Sequence, residues 1–422
     1  MTRPRALAGP RAIIVVTGSE LVRGDRRDEN GPFLAGELMR RGLEPARVLI
    51  VGDSEDELAE ALREGLEADL CVTSGGLGPT HDDRTVELVA RAAGVPLRVD
   101  EGLRAQIESV SRAVAQRLHR PYTDFEPGVL KQATIPDGAD SLGLAGTAPG
   151  LVLPTGRGAC VILPGPPREL QRLWPRALET EPVRRVLERA TVPEHRVLRF
   201  FGASESEVAR GLAAMGEPDG VEVTICARDF EIHVDVFGPG ESVAAGLRER
   251  LGRHLFAEDE KPVEARVLDA CRVRGWKLAT AESCTGGMVA QRLTSVPGSS
   301  DVFVGAVVAY SNEVKLRELS VPAEVLREHG AVSAETAAAM ARGVRERLGT
   351  DVAIAVTGVA GPGGGTPEKP VGLVYVHAET PEASRGIDFS YGSDRESVRR
   401  RATVASLHLL RRLLAQTRDE AA

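Results

Sequence analysis

Four stretches of this sequence carry side chains of the right type and spacing to do chemistry. In the C-terminal third, Glu282-Ser283-Cys284-Thr285-Gly286-Gly287 sets a hydroxyl and a thiol beside two glycines. The main-chain N–H groups of Gly286 and Gly287 have no side chain in the way and suit an anion or an incipient oxyanion. Tyr310-Ser311-Asn312-Glu313-Val314-Lys315 adds a phenol, an amide and an amine. Thr357-Gly358-Val359-Ala360-Gly361-Pro362-Gly363-Gly364-Gly365 is a second amide-rich loop, with a hydroxyl at its entrance placed to hydrogen-bond a ligand. Near the N-terminus, Gly75-Gly76-Leu77-Gly78-Pro79-Thr80 offers phosphate-binding amides beside Asp82 and Asp83, a pair suited to a divalent cation or to proton transfer. Each loop has a plainer alternative, a tight turn or an acidic helix start favoured by the helix dipole.

Lysine usage singles out one of these residues. Of 53 basic residues only five are Lys (131, 261, 277, 315 and 369), and Asn30 and Asn312 are the only asparagines. Arg stays protonated, whereas a buried Lys can lose its proton and act as a base. Lys315 lies three positions from Asn312, so two rare residue types cluster there. Cys284 is the competing nucleophile, because thiols are intrinsically better nucleophiles than hydroxyls.

Composition narrows the function classes. A length of 422 residues suggests roughly three domains, and 42% hydrophobic with 27% charged residues fits a globular chain. The net charge of −8 argues against bulk nucleic-acid binding, which draws on Lys and Arg. Arg3, Arg5 and Arg11 precede an apolar run, 12–16, too short for a secretion signal, and no stretch approaches a membrane span. Five scattered cysteines without a C-x-x-C pair fit neither a disulfide framework nor a zinc site and point to a reducing, cytoplasmic compartment. His329, His377 and His408 have no ligand-like spacing.

The elements that must position these groups read as α/β. Strands are expected at 12–17, 46–51 and 70–74, with helices at 31–41 and 54–67 between them, so the first glycine loop follows the carboxyl end of a strand, where ligands bind in open α/β sheets. Further strands at 148–154 and 160–163 close a first domain, 1–172. A small α+β module spans 173–258, with a helix at 204–215 and alternating strands over 221–237. The third domain, 259–422, opens with a helix at 263–274 and a strand at 277–281. It continues with strands at 302–310, 351–357 and 372–377, and helices from 288, at 334–348 and at 397–414.

Taken with Gly298-Ser299-Ser300, Gly330-Ala331-Val332-Ser333 and Lys369-Pro370-Val371-Gly372, the three C-terminal stretches resemble the C-terminal domain of the competence/damage-inducible protein A (CinA) family, which also occurs as a free-standing nicotinamide-nucleotide amidase. The resemblance implies hydrolysis of nicotinamide mononucleotide to nicotinate mononucleotide and ammonia, without a cofactor. It implies Ser300 as nucleophile, Lys315 as base, and Ser283 and Tyr310 in the proton network. Thr357 would contact the nicotinamide and Arg395 the nucleotide, with Thr285, Gly286, Gly287, Asn312, Gly358 and Gly361 lining the substrate site.

The first glycine loop, with Gly18-Ser19-Glu20-Leu21, Gly146-Thr147-Ala148-Pro149-Gly150 and Leu163-Pro164-Gly165-Pro166-Pro167, resembles the first domain of the same family, similar in fold to molybdopterin-binding proteins. The middle segment looks like the family's KH-like module. For the first domain the resemblance implies a nucleotide or phosphate site at Gly75, Gly76, Gly78, Thr80 and Asn30, and in some members a metal-dependent ADP-ribose pyrophosphatase, with Asp82 and Asp83 as candidate ligands of a divalent cation. This chain departs from the pattern at Asp28-Glu29-Asn30 and at Gly143-Leu144. The expected partners are small nucleotides and a second copy of the chain, with no membrane or bulk nucleic acid.

Overall fold

A computed structural model describes residues 9–216 and 219–419; Arg3 and Arg5 lie outside them. The chain divides into two compact units: Met1–Glu194 with 219–222 and 237–239, and His195–Pro218 with 223–236 and 240–422.

In the first unit β1 (Arg11–Thr17), α1 (Asn30–Met39), β2 (Glu44–Val51), α2 (Glu55–Leu66), β3 (Leu70–Ser74) and α3 (Thr85–Ala93) follow in order. After α4 (Glu101–Leu118) come β4 (Asp140–Leu144), β5 (Pro149–Pro154), β6 (Ala159–Leu163) and α5 (Pro167–Leu178). The sheet runs β2-β1-β3-β6-β5-β4. β1 pairs in parallel with β2 and β3, and β3 with β6. Alternation along β1 sends Ile13 and Val15 into the core beneath α2 and α3, and Ala12, Ile14 and Val16 into the core beneath α1 and α5. Both faces are covered, which is why β1 is apolar from Ala12 to Val16 instead of alternating with polar residues. Residue 172, the expected domain limit, falls inside α5, whose Leu170, Leu173 and Trp174 belong to this core.

The second unit begins with β7 (His195–Phe201), α6 (Glu205–Ala213), β8 (Glu222–Arg228), β9 (Glu231–Phe237), α7 (Glu241–Leu251) and β10 (Leu255–Ala257), in a sheet ordered β8-β9-β7-β10. Then follow α8 (Val263–Arg274), β11 (Leu278–Glu282), α9 (Met288–Thr294), β12 (Phe303–Val308), α10 (Asn312–Leu319) and α11 (Ala334–Leu348). β13 (Val352–Gly358), β14 (Leu373–Glu379), β15 (Ser384–Ser390) and α12 (Arg395–Asp419) complete it.

Its sheet runs β12-β11-β13-β14-β15, with β11 parallel to both neighbours and β14 and β15 antiparallel. Leu278 packs with α8, α9 and α12 on one face, while Ala279, Ala281, Ala353 and Ala355 face α10 and α11 on the other. Small residues on that face let α11 close in, and Gly343 of α11 lets the end of α10 lie against it: a Cβ there would meet Leu319 O at 1.8 Å. Among the described residues no helix is long and apolar enough to cross a membrane.

Candidate active site

The carboxyl ends of β11, β12 and β13 lie side by side and deliver Ser283, Ala309-Tyr310 and Thr357 to one edge of the sheet. Ser283 N donates to Val356 O at 2.9 Å, which extends the β11–β13 ladder by one residue and fixes the serine. The chain then turns through Gly286 (φ 60) and Gly287 (φ 98), consecutive left-handed residues that favour glycine, into α9. Glu282, fully buried, turns its carboxylate back onto the start of that helix and accepts from Gly287 N (2.9 Å), Val289 N (3.0 Å) and Ala290 N (2.8 Å). A carboxylate at a helix N-terminus satisfies orphan amides and complements the dipole. The amides expected to wait for an oxyanion are therefore engaged: Gly287 N by Glu282, and Gly286 N by Ser283 O at 3.2 Å.

Lys315 reaches this edge from α10, whose N-terminus Ser311 caps through Val314 N. Only 1% exposed, it places Nζ 2.7 Å from Ala309 O, 3.4 Å from Tyr310 O and 3.1 Å from Ser283 Oγ. Burial holds its ammonium pKa below the ordinary lysine value, with no ion-pair carboxylate among the described residues to restore it. Cys284 is the opposite case. Burial first, and the Glu282 charge after it, push its thiol up to about 12. A thiol so held is not ionised near neutral pH, and it is the Ser283 hydroxyl, not this thiol, that hydrogen-bonds Lys315 Nζ.

Ser300 is elsewhere. It is exposed on a short 3-10 turn, Ser299–Asp301, that precedes β12, so it sits at the amino edge of the sheet. Leu278 pairs with Phe303 and Glu282 with Val308, so the whole strand length, about 17 Å at strand rise, separates that turn from the Ser283 edge. The expected Ser300–Lys315 pair is not formed, because a residue before a parallel strand and a residue after it lie at opposite edges. The turn has a structural occupation instead: Arg272 grips Asp301, and Lys277 Nζ donates to Asp301 O at 2.5 Å.

Of the other expected residues, Tyr310 and Arg395 meet: Arg395 Nη2 donates to Tyr310 OH at 2.9 Å and Nη1 to Gly361 O at 2.7 Å, joining the loops after β12 and β13 to the start of α12. Thr357, buried, donates to Ala331 O at 2.6 Å and braces the 330–333 segment. Thr285 is fully buried, with no partner on its hydroxyl, and Asn312 is exposed in the first turn of α10. Gly358 lets β14 approach, since a Cβ there would meet Leu373 O at 2.7 Å. Arg399, which the sequence motifs did not mark, donates from Nη2 to Thr285 O at 3.0 Å. It lies one helical turn beyond Arg395, and that i,i+4 spacing was the available signal.

In the first unit a cleft of about 830 Å³ opens at the carboxyl ends of β1 and β3, lined among others by Thr17, Arg26, Arg27, Asn30, Ser74 and Arg168. Asn30 Nδ2 donates to Ser74 Oγ (2.8 Å) and Gly165 O (2.7 Å), leaving its buried Oδ1 without a partner. Gly75, Gly76, Gly78 and Thr80 are not in the lining; Gly75 N donates to Leu163 O at 3.0 Å, and Gly75 O accepts from Thr85 Oγ1 at 2.9 Å. Asp82 Oδ1 and Asp83 Oδ2 both lie within reach of the one Thr80 hydroxyl, which can donate to only one of them at a time, and Asp83 also accepts from Thr80 N at 3.0 Å; no metal-capable cluster of three or more such side chains occurs among the described residues.

Residues 260–414 match the family model described as the CinA C-terminal domain, and residues 13–182 that of a probable molybdopterin binding domain. The chain is 42% identical to a CinA-like protein of Mycolicibacterium paratuberculosis over 431 aligned positions, covering 96% of this chain and 98% of the relative. It is likewise 42% identical to a CinA-like protein of Mycobacterium tuberculosis over 424 positions, covering 96% and 97%. Among solved structures, a CinA superfamily protein from Klebsiella pneumoniae is 35% identical with a TM-score of 0.35, covering 36% of this chain and 96% of that one. A CinA protein from Thermoplasma acidophilum is 36% identical with a TM-score of 0.36, covering 40% and 96%. With near-complete coverage at that identity and both end domains matched, the chain belongs to the CinA family.

Proposed function

We propose that the C-terminal domain is a serine–lysine amidohydrolase that converts nicotinamide mononucleotide to nicotinate mononucleotide and ammonia, with Ser283 as nucleophile and Lys315 as base. The single observation that carries this reading is the buried 3.1 Å contact of Lys315 Nζ with Ser283 Oγ. A neutral lysine amine has two N–H bonds and one lone pair. The carbonyls of Ala309 and Tyr310 take the N–H bonds, which leaves the lone pair for the Ser283 hydroxyl proton. Ser283 Oγ then attacks the carboxamide carbon, Lys315 returns the proton to the departing nitrogen, and ammonia leaves an acyl-enzyme that water hydrolyses by the same proton path.

The carboxamide and the nucleotide are what the family resemblance implies. Arg395 and Arg399, close to Tyr310 and the Ser283 turn, support a phosphorylated substrate. Ammonia release from nicotinamide mononucleotide by the full chain, compared with Ser283→Ala, tests the proposal. Turnover that survives the substitution refutes it.

A second reading, of the first unit, rests on the unpartnered Asn30 Oδ1 in a cleft where Arg26, Arg27 and Arg168 stand beside Glu20, Asp28 and Glu29, an arrangement that supports a polar nucleotide bearing an N–H or O–H donor. ADP-ribose is the ligand the resemblance implies. Calorimetric titration of the full chain with ADP-ribose, against Asn30→Leu, tests it: loss of a binding site in the variant supports the reading, and an unchanged isotherm ends it.

A further inference from the structure

A second cleft, of about 420 Å³, lies in the C-terminal unit between α8, the distal half of α12 and Phe256 of β10, far along α12 from Arg395. One side is apolar, with Phe256, Ala270, Val273 and Leu414; the other is cationic, with Lys261, Arg266, Arg274 and Arg411.

The charges in this cleft do not balance. Asp269 is shared between Lys261 and Arg272, and Asp259 holds Arg266. Arg411 has no acceptor: its Nε is buried without a hydrogen-bond partner, and no carboxylate pairs with it among the described residues. Glu231 is the opposing charge that acts on it, and it is bound to His408 (2.7 Å) and His233 (3.2 Å). Burial, then the neighbouring charges of Arg412 and Arg266, bring the Arg411 guanidinium down to about 10. The guanidinium rests 5.5 Å from the Phe256 ring centroid, a contact that holds it without satisfying its N–H groups.

A half-buried, uncompensated cation in a chain of net charge −8 is an uneven distribution. A guanidinium that lines a cleft and has no acceptor among the described residues can take one from a ligand. We propose that this cleft is a binding site for a small organic anion whose phosphate or carboxylate head pairs with Arg411 and whose apolar body lies against Phe256, Ala270 and Val273. The site shares no lining residue with the proposed catalytic edge or the N-terminal cleft, and it stands whether or not either of those readings does.

The test is calorimetric titration of the full chain with phenyl phosphate and, in parallel, with benzoate, on the wild type, Arg411→Met and Arg411→Lys. The wild type should show a saturable site that Arg411→Met loses and Arg411→Lys binds about tenfold more weakly, since lysine keeps the charge without the fork. Tighter binding of phenyl phosphate than of benzoate assigns a phosphate head, and the reverse a carboxylate. Thermal unfolding confirms that the variants are folded; if Arg411→Met is not, Arg411→Lys alone decides. Isotherms unchanged by either substitution, or non-saturating in the wild type, overturn the proposal.

Discussion

Lys315 Nζ and Ser283 Oγ lie 3.1 Å apart although 32 residues separate them in the chain. The contact needs β11 and β12 to be parallel neighbours: the residue after β11 and the helix after β12 then arrive at the same edge. Ser283→Ala should lower amidase turnover by about 10³-fold or more, the scale of losing an activated nucleophile. Ser300→Ala should leave it within about twofold, as for a surface substitution away from the site. Ammonia release in steady state reads both. Comparable losses in the two variants would return Ser300 to the mechanism.

The base must be neutral to act. Burial lowers the Lys315 pKa from its ordinary 10.5, so kcat/KM should rise with pH along an acid limb whose midpoint lies below that value. The stability effect has a definite sign. A lysine whose folded pKa is depressed binds its proton more readily unfolded, so its cost to folding is full below the folded pKa and disappears above the unfolded one. Lys315→Met should therefore abolish turnover while leaving the fold at least as stable at neutral pH, with the gain fading towards pH 10. Denaturant unfolding at several pH values checks this, and a strong destabilisation at neutral pH would mean that Lys315 is a structural donor.

Glu282 holds the turn that presents Ser283. Its carboxylate accepts from three amides at the start of α9, and Glu282→Gln keeps the shape but loses the charge and replaces one acceptor oxygen with a donor NH₂. A stability loss of about 1–2 kcal/mol is expected, from the scale of helix caps and charge-assisted hydrogen bonds. Turnover should fall as well, because Gly286 and Gly287 have no side chains to hold the turn. Chemical denaturation and initial rates measure the two effects separately.

Much of this architecture could be read from the chain. The apolar runs at 12–17, 70–74 and 351–357 are central strands because both faces are covered, and the glycine pair at 286–287 does mark a left-handed turn into a helix. The rarity of lysine pointed to Lys315, which the fold buries. The separation of Ser300 from Lys315 has a reason the sequence itself contains: Ser283 follows a strand and Ser300 precedes one, and open α/β sheets place their sites at carboxyl ends. The role of the glycine amides was not legible, because nothing in a sequence says that the preceding glutamate folds back onto them. Nor was the contact of Arg399 with Thr285, across 114 residues.

Substitution at Arg395 or Arg399 should separate binding from chemistry. Neither touches Ser283 Oγ or Lys315 Nζ, yet one holds Tyr310 and Gly361 and the other the Thr285 carbonyl. Arg399→Gln should raise KM for nicotinamide mononucleotide about 10–100-fold, the scale of one charge-assisted phosphate contact. It should change KM for nicotinamide riboside, which lacks the phosphate, much less. Equal effects on the two substrates would make Arg399 a brace of the turn instead of a phosphate ligand.

His408 is buried where its titration should make the second unit sensitive to acid. It is fully buried, stacks on Phe201 with ring centroids 3.9 Å apart, and bonds Glu231 at 2.7 Å. Burial brings its pKa down to about 4 from 6.5 despite the nearby carboxylate. The unfolded chain therefore takes up a proton on this residue at a higher pH than the folded chain does, and stability should fall as pH drops from 6.5 towards 4. Glu231, held at about 2 against burial by His233 and His408, adds its own loss only below 4.5. His408→Gln keeps a donor for Glu231 and removes the titration, so its unfolding midpoint should be flatter than that of the wild type between pH 6.5 and 4.5, although lower at pH 7 for want of the ring stack. Parallel curves for the two proteins across that window would assign the acid sensitivity to other groups.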